Sequence, residues 1–397
     1  MTRTRSDRAP GLVNGATLPY YVGGFLGPFG TLVVTPIYPE LEKSFSASSE
    51  AVNWGFSGYF LPMAVMMLVS GTIGERYGRA RVMRITYIGY AIATVLAILA
   101  PSLGWFIAAR VLQGLGNAFF TPLMLAGLAD ITEPKRLGRV MGMYSSFQAA
   151  GGALSPIAGG LAARYDWRYA FVVIAAMSFL LSFRPPPGEP RPDAQAPPIK
   201  PLLTWRMVLL WITGFAAATG PVGIGVVVGV ASRKGLDASS TESGLLLLAG
   251  GCGAAIVGPR WGSLLDRLGI RTYSLIGTAV ASLIVATLGF ADTLPLLAVG
   301  WFLGASLVPA VVVALTHLAA SAVPTNRGGA LSSVLAFRFL GHAVGPIILV
   351  PIYLDHHRLA FILAGALGLI SLIGFALVST SPEADTAPSS DVSPASR

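Results

Sequence analysis

The chain has 397 residues, of which 54% are hydrophobic and only 11% are charged, and its formal net charge is +9. A soluble domain is about 25% charged, so this chain has too little polar surface to cover itself in water. The composition excludes an ordinary soluble protein and predicts an integral membrane protein. In that setting the positive charge indicates basic residues retained on the cytoplasmic side, and it does not indicate a nucleic-acid partner.

A hydrophobic stretch of about 20 residues crosses a bilayer as a helix. The basic N-terminal segment precedes a long apolar stretch without a clear cleavage site, which favours a first spanning helix over a removed signal peptide. On this rule the sequence predicts about twelve spans, at roughly 17–39, 51–73, 82–100, 104–128, 139–162, 167–184, 205–232, 242–264, 272–291, 294–318, 328–353 and 358–380.

The least hydrophobic interior segment separates the sixth span from the seventh. From Arg184 to Pro201 it reads RPPPGEPRPDAQAPPIKP, and its prolines forbid a helix and favour an extended linker. The sequence thus predicts an N-terminal tail, a six-helix bundle, a linker, a second six-helix bundle and a disordered tail. These units cover residues 1–16, 17–184, 185–204, 205–380 and 381–397.

The Lys and Arg residues are unevenly distributed between the two sides of this topology. With the N-terminus inside, 19 of them fall on the inner side and 6 on the outer side. Because basic residues are retained in cytoplasmic loops, we predict that both termini are cytoplasmic. The densest basic cluster, GTIGERYGRAR from Gly71 to Arg81, then lies on the inner face between the second and third spans.

The second half of the chain repeats the pattern of the first. GTIGERYGRAR at Gly71 has an echo in GSLLDRLGIRT at Gly262, at an offset of 191 residues. Farther on the offset is 190, in the pairs Pro134–Pro324, Gly138–Gly328, Gly151–Gly341, Pro156–Pro346, Arg168–Arg358 and Phe171–Phe361. This ordered series predicts two pseudo-symmetric six-helix halves in parallel repeat, with a substrate path between them.

Two arginines fall inside predicted spans. Arg110 lies in the fourth span and starts a polar stripe with Gln113 and Asn117. A buried arginine costs at least ~2.5 kcal/mol on insertion scales, so it requires a wet cavity or a partner. The stripe is therefore either part of a functional cavity or a hydrogen-bonded brace between helices.

Arg338 lies near the middle of the eleventh span, with His342 one turn on. Subtracting the repeat offset places its counterpart at Gln148 in the fifth span. Substrates of such repeat-built proteins bind at the midplane, where the halves meet. We predict that Arg338, Gln148 and His342 are cavity residues; the alternatives are an arginine paired with a backbone carbonyl, and histidines at 317 and 342 that only brace helices.

Acidic residues are absent from the middle of the predicted spans. With two interior arginines, this pattern favours an anionic, zwitterionic or neutral amphipathic ligand over a cation. The spans also lack an H-E-x-x-H cluster, a supported Ser–His pair and a phosphate loop, so the sequence predicts neither an enzyme nor a metal site. The single cysteine, Cys252, cannot form an internal disulfide and is interpreted as a helix-packing residue.

Helices five and eleven share a pattern of small residues and proline. Small residues at such spacings let helices approach closely, and we expect these to pack against the opposite half as a paired hinge or seal. Ordinary flexibility of membrane helices is the alternative. The hinge residues are Gly151, Pro156, Gly159, Gly160, Gly341, Gly345 and Pro346.

Four motifs in order resemble the major facilitator superfamily of secondary transporters, over almost the whole chain. GTIGERYGRAR is similar to the family's loop 2–3 signature, with Glu75 for the usual Asp and Ala80 for a basic residue. RVLQGLGNA from Arg110 is similar to the helix-four motif. GGALSPIAGG from Gly151 resembles the helix-five antiporter motif, with Ser155 for a glycine, and DWRYAF from Asp166 resembles the start of helix six.

The resemblance implies roles for these residues. Glu75 would meet the start of helix eleven near Gly328, and Arg79 would pair with Asp130, as a latch between the halves; the alternative is a basic anchor that only fixes topology. The predicted latch residues are Gly71, Glu75, Arg76, Gly78, Arg79, Asp130, Asp266 and Arg267. Arg110 is linked to proton coupling in the family, whereas the carboxylate that many exporters of cationic drugs carry in helix one is replaced by a residue near Gly30.

The resemblance thus implies the major facilitator fold and a proton-coupled exporter of a small drug-like molecule that works by alternating access. A proton-linked uptake symporter or facilitator of a metabolite is the alternative. The expected partners are a small-molecule substrate, protons and membrane lipid, with the proton gradient as energy source and no cofactor. We expect a monomer in the bacterial inner membrane.

Overall fold

The computed structural model describes residues 12–191 and 200–379, and these ranges form α-helices and short 3₁₀ or π turns, without a β-strand. In the first half the helices are α1 (Leu18–Leu32), α2 (Tyr38–Phe45), α3 (Ser49–Tyr77), α4 (Arg79–Ile98), α5 (Leu103–Asn117), α6 (Phe120–Ile131), α7 (Pro134–Ala162) and α8 (Arg168–Ser182). In the second half they are α9 (Trp205–Thr219), α10 (Gly225–Val230), α11 (Ser240–Thr287), α12 (Leu294–Ala305), α13 (Val308–Ala322), α14 (Arg327–Asp355) and α15 (His357–Ser379). The predicted N-terminal tail up to residue 11, linker residues 192–199 and the predicted tail from residue 381 lie outside the described residues.

Each predicted span coincides with one helix or with consecutive helical segments. Eight helical stretches of the described chain are long and apolar enough to cross a membrane, and shorter apolar helices accompany them. Large apolar side chains cover the outside of the bundle; Val65, Leu180 and Leu283 are 69%, 66% and 67% exposed. Such a surface is unfavourable in water and is solvated by hydrocarbon tails, so it faces lipid.

The first, fourth, seventh and tenth spans are broken, although their hydropathy predicts continuous helices. The breaks lie between α1 and α2, between α5 and α6, between α9 and α10, and between α12 and α13. A proline lacks the N–H that an inner helical turn requires and clashes with the preceding turn. A proline follows each break within a few residues: Pro36, Pro122, Pro221 and Pro309. The same spans are broken in both halves, as the repeat requires.

Two glycine turns at equivalent places join consecutive spans without a loop. Gly78 lies between α3 and α4 with a φ of 88°, and Gly269 interrupts α11 with a φ of 71°. Left-handed backbone of this kind is accessible mainly to glycine. Gly269 therefore divides the long helix α11 into the predicted eighth and ninth spans.

The glycines of α7 and α14 pack close to backbone within their own halves. A Cβ at Gly151 would overlap the Phe25 carbonyl oxygen on α1, and a Cβ at Gly341 would overlap the Phe215 carbonyl oxygen on α9. Both members of each pair are 190 residues apart, so the repeat extends to the contact itself. A Cβ at Gly345 would likewise lie 2.7 Å from the Thr219 carbonyl oxygen.

The expectation that these glycines face the opposite half is wrong for most of them. Gly151 and Gly159 meet α1 and the residues just after it, and Gly341 and Gly345 meet α9, because the first helix of each half fills the groove beside its fifth. Gly160 alone of the glycines in this set abuts the other half, at the Ser240 carbonyl oxygen.

The close approach of α14 to α9 gives a test of this packing. Gly341→Ala places a methyl group against backbone that cannot move aside, and we expect destabilisation of about 1–3 kcal/mol, seen as a lower melting temperature in detergent. Gly89→Ala in α4 is the matched control, because a Cβ there meets nothing within 4 Å and alanine favours the helix. Equal melting temperatures for the two variants would contradict the packing described.

Candidate functional site

Arg110 is completely buried in the first half and makes four hydrogen bonds. Its Nε donates to the Gly55 carbonyl oxygen at 2.9 Å. Its Nη1 donates to the Gly30 carbonyl oxygen at 2.9 Å and to Gln113 Oε1 at 2.8 Å, and its Nη2 donates to the Thr31 carbonyl oxygen at 3.1 Å. The guanidinium thus ties together α1, α3 and α5.

The break after α1 explains why an arginine is needed there. The last carbonyls of a helix have no intrahelical donors, and they carry the negative end of the helix dipole. Gly30 and Thr31 occupy these positions in α1, which ends at Leu32. A cation that donates to both carbonyls satisfies them inside the bilayer, where water cannot.

The rest of the polar stripe also points into the first half. Gln113, which is fully buried, donates to Thr94 Oγ1 at 2.7 Å. Asn117 Nδ2 lies 3.2 Å from Met63 Sδ. Arg110, Gln113 and Asn117 therefore form a brace between helices, and of the two possibilities that the sequence leaves open the geometry matches this one.

Two cavities lie between the halves, at successive levels along α3, α13 and α14. The first, of about 330 Å³, is named here the Trp301 cavity and is lined by Phe56, Pro156, Trp301, Val308 and His342 among others. The second, of about 510 Å³, is named the Arg338 cavity. Its polar wall consists of Thr121, Thr316, Ser332 and Arg338, and apolar side chains such as Met67 and Leu335 complete it.

Arg338 and Gln148 approach the same cavity from opposite halves. Arg338 lines it directly, whereas Gln148 Nε2 donates to Thr121 Oγ1 at 3.0 Å and holds that hydroxyl at the cavity wall. His342 does not join them. It lines the Trp301 cavity and stacks on Phe60 with ring centroids 5.6 Å apart, because one helical turn carries it to the next level.

One end of the interface between the halves is held by polar contacts; we call it the closed end. Glu40 pairs with Arg233, and Glu42 Oε2 lies 2.9 Å from Lys234 Nζ. Nearby, Ser240 Oγ donates to the Gly160 carbonyl oxygen at 2.9 Å.

The contacts continue inward from the closed end and then give way to space. Ser57 Oγ donates to the Ala343 carbonyl oxygen at 2.8 Å, and Phe60 stacks on Phe339 at 5.8 Å. Toward the other end, named the open end, the Arg338 cavity lies between α3 and α14, and a Cβ at Gly328 would meet nothing within 4 Å.

The charge cluster at the open end binds a different partner from the one expected. Arg79 Nη2 lies 2.7 Å from Asp130 Oδ2, and Arg79 Nε donates to Glu75 Oε1 at 2.9 Å. Glu75 also pairs with Arg191 at 3.2 Å and accepts the Arg191 backbone N–H at 2.8 Å. Its oxygens are thus engaged by arginines, and the expected contact of Glu75 with the start of α14 near Gly328 is absent from these contacts.

The first residues of the linker explain this arrangement. A Cβ at Gly188 would lie 2.8 Å from Arg79 Cβ, and a Cβ at Gly78 would lie 3.1 Å from Pro190 Cγ. The linker therefore folds over the turn at Gly78 and delivers Arg191 to Glu75. Sequence reasoning treated the linker as a spacer and missed this contact.

The remaining latch residues behave differently from one another. A Cβ at Gly74 would overlap Leu123, whereas a Cβ at Gly71 would approach Pro122 Cβ no closer than 3.9 Å, so only Gly74 requires its small size for packing. Arg76 is exposed beside the Tyr77 ring. Arg267 is exposed, and the side chain of Asp266 lies outside the described residues.

Comparison with known proteins defines the class to which this fold and site belong. A sequence model of the Major Facilitator Superfamily matches residues 20–230 and 210–396. The chain belongs to the Major Facilitator Superfamily, and the resemblance of its four motifs to that family is confirmed. It is a multi-pass membrane transporter of small molecules with the two-domain fold of the family, and it is not an enzyme.

Curated relatives include an uncharacterised transporter and drug exporters. The chain is 24% identical to the MFS-type transporter YceJ of Bacillus subtilis, over 80% of this chain and 84% of that protein. It is 25% identical to the multidrug resistance protein Stp of Mycobacterium tuberculosis, over 83% of this chain and 73% of Stp. The drug efflux pump JefA of the same species is 31% identical, but over only 38% of this chain and 30% of the pump.

Solved structures share the fold at low sequence identity. A bacterial homologue of the human lysosomal transporter Spinster superposes with a TM-score of 0.76 at 17% identity, covering 92% of this chain and 96% of that one. The human organic anion transporter MFSD10 gives a TM-score of 0.69 at 17% identity, covering 91% and 98%. The predicted fold class is confirmed.

The four hydrogen bonds of Arg110 predict that even a charge-conserving change is harmful. Arg110→Lys keeps the charge but loses the planar fork, and it leaves the carbonyls at the end of α1 without donors. We expect a loss of about 3 kcal/mol or more, measured as a lower melting temperature. Arg358→Lys at an exposed position is the control. A variant with unchanged melting temperature that loses only the pH dependence of transport would assign Arg110 to proton coupling instead.

The ion pairs at the closed end predict a conformational effect. Glu40→Gln with Glu42→Gln removes both pairs, each contributing about 0.2–1 kcal/mol, so the closed end should open more often. Spin labels at Lys43→Cys and Asp292→Cys, in a Cys252→Ser background, should show longer distances by double electron–electron resonance.

Glu50→Gln is the control for this experiment, because Glu50 is exposed and has no ion pair among the described contacts. Identical distance distributions for the double variant, the control and the parent would show that the pairs do not hold this end closed.

Proposed function

We propose that this transporter is a proton-coupled exporter of small amphipathic molecules that works by alternating access. The asymmetry of the interface between the halves carries the proposal. Ion pairs join the halves at the closed end, and the Arg338 cavity separates them toward the open end. Rocking of two rigid halves about a central site requires a state of this shape and its mirror image.

The charge distribution supports a cytoplasmic open end. Arg76, Arg79 and Arg81 cluster there, whereas Glu40 and Glu42 lie at the closed end. By the retention of basic residues in the cytoplasm, both termini are inside and the structure corresponds to an inward-facing state. The host membrane in this proposal is the bacterial inner membrane, and the working unit is a monomer.

The two cavities support an amphipathic substrate. Their walls are largely apolar, with a few polar groups that include Trp301, His342 and Arg338, and their described lining contains no carboxylate. A mostly apolar pocket with few polar groups is the usual form of a small-molecule site. The names of Stp and JefA as resistance and efflux proteins favour drug-like compounds and the outward direction.

Proton coupling rests on the antiporter pattern of α7, from Gly151 to Gly160, and the proton gradient would supply the energy without a cofactor. Arg110 contributes by holding α1, α3 and α5 as one rigid unit. Glu75, Arg79 and Asp130 would act as a latch that Arg191 occupies in this state.

Transport against chloramphenicol gradients in proteoliposomes tests the proposal. Chloramphenicol has no group that titrates near neutral pH, so a pH gradient does not redistribute it passively. With the interior one pH unit more acidic than the outside, an antiporter should accumulate the compound inside, up to about tenfold for one proton per molecule. Nigericin, which collapses the gradient, should abolish the accumulation.

Empty liposomes serve as the control for leakage. Accumulation only when the interior is alkaline would mean that substrate and proton move together, which is uptake by symport. Equilibration without accumulation under either gradient would identify a facilitator, and both outcomes would overturn export.

A further inference from the structure

We propose that the Arg338 cavity binds the anionic head group of an amphipathic substrate and that Arg338 is the residue that selects for it. The inference rests on the proposed function and deepens it, because it names a charge class for the substrate. It is carried by the difference between Arg338 and the other interior arginines.

The other arginines with buried or partly buried side chains have partners. Arg110 makes four hydrogen bonds, and Arg79 contacts two carboxylates. Arg168 bonds to the Ile98 carbonyl oxygen and pairs with Asp166. Each of these side chains is satisfied by the protein itself.

Arg338 has no hydrogen bond or ion pair among the described residues. Its Nε is buried without a partner, and its one polar-type contact is with the Phe339 ring, 5.3 Å from the guanidinium carbon. A guanidinium has five N–H donors, and leaving them unpaired away from water is unfavourable. A ligand that supplies two acceptor oxygens in one plane, a carboxylate or a phosphate, would satisfy them as a fork.

The surroundings of Arg338 favour an anion with an apolar body. The cavity of about 510 Å³ is lined by hydroxyl groups of Thr121, Thr316 and Ser332, by apolar side chains and by no carboxylate. A positive ligand would meet an unopposed positive charge, and a neutral one would leave the guanidinium unpaired. An amphipathic anion satisfies the arginine and fills the apolar remainder.

The position of the site links binding to transport. Thr121 belongs to α6 in the first half and is held by Gln148, whereas Thr316, Ser332 and Arg338 belong to the second half. A head group held by Arg338 and in reach of Thr121 bridges the halves, so its binding affects the equilibrium between their arrangements.

Three probes of one shape test the charge class: 1-naphthylacetate, 1-naphthylacetamide and 1-naphthylethylamine. Binding is measured by calorimetry on the full chain in phosphatidylcholine nanodiscs. We expect the carboxylate to bind at least about tenfold more tightly than the amide, and the amine most weakly. Arg338→Gln should weaken carboxylate binding about 10- to 100-fold and change amide binding less than threefold. Arg338→Lys should retain part of the preference.

Arg358→Gln is the matched control, because Arg358 also lies 5.3 Å from a phenylalanine ring but at an exposed position. It should leave all three affinities unchanged. Equal affinity of the wild type for carboxylate and amide, or an equal loss of both in Arg338→Gln, would overturn the proposal.

Stability gives a second measurement that does not depend on the choice of probe. Because the ligand-free protein buries an unpaired charge, Arg338→Met should raise its melting temperature, the reverse of the effect at Arg110. A lower melting temperature would mean that Arg338 has a structural partner and would overturn the proposal.

Two further outcomes separate this inference from others. Loss of naphthylacetate binding in phosphatidylglycerol nanodiscs would assign the site to a lipid head group and overturn the assignment to a substrate. Chloramphenicol accumulation driven by protons, together with no preference for the carboxylate, would leave export standing and refute the anion site. The carboxylate preference together with symport would do the reverse.

Discussion

The bilayer requires that every backbone polar group find a partner inside the protein, and the broken first span makes this requirement acute. The carbonyl groups of Gly30 and Thr31 lie at the end of α1, where the helix offers them no donors. Arg110 supplies the donors and extends a third bond to α3. A buried charge that would otherwise be costly becomes the group that permits a helix break beside the cavities between the halves.

The surroundings of each arginine decide what it does, and the residue type alone does not. Arg110 is saturated by neutral carbonyls and braces three helices. Arg79 is saturated by Glu75 and Asp130 at a membrane surface, where its bonds can exchange with water. Arg338 is left unpaired beside a cavity, which is the arrangement that a transporter needs at a position meant to bind and release a charged group.

The sequence predicted what depends on composition and period. The number of spans, the repeat at 190 residues and the glycine turn at Gly78 follow from hydropathy, spacing and allowed φ values. The partners of Glu75 could not be predicted, because they depend on how the linker folds back to place Arg191. The pairing of Glu40 and Glu42 with Arg233 and Lys234 did leave a signal: the two loops occupy equivalent places in the repeat and carry opposite charges.

The halves differ where the repeat makes them nominally equivalent, and the difference concerns the same backbone requirement. The position 190 residues after Arg110 is Gly300, so the second half has no guanidinium to brace its first helix. Its break, from Gly220 to Ile224, is longer than the one after α1, and Val222 and Gly223 from this break line the Trp301 cavity. The first half thus has a cavity wall fixed by a charged side chain, and the second half has a wall of backbone and apolar groups. Because rigid and adaptable walls face each other, molecules of different shape can fit between the halves while the helices of the first half keep their arrangement.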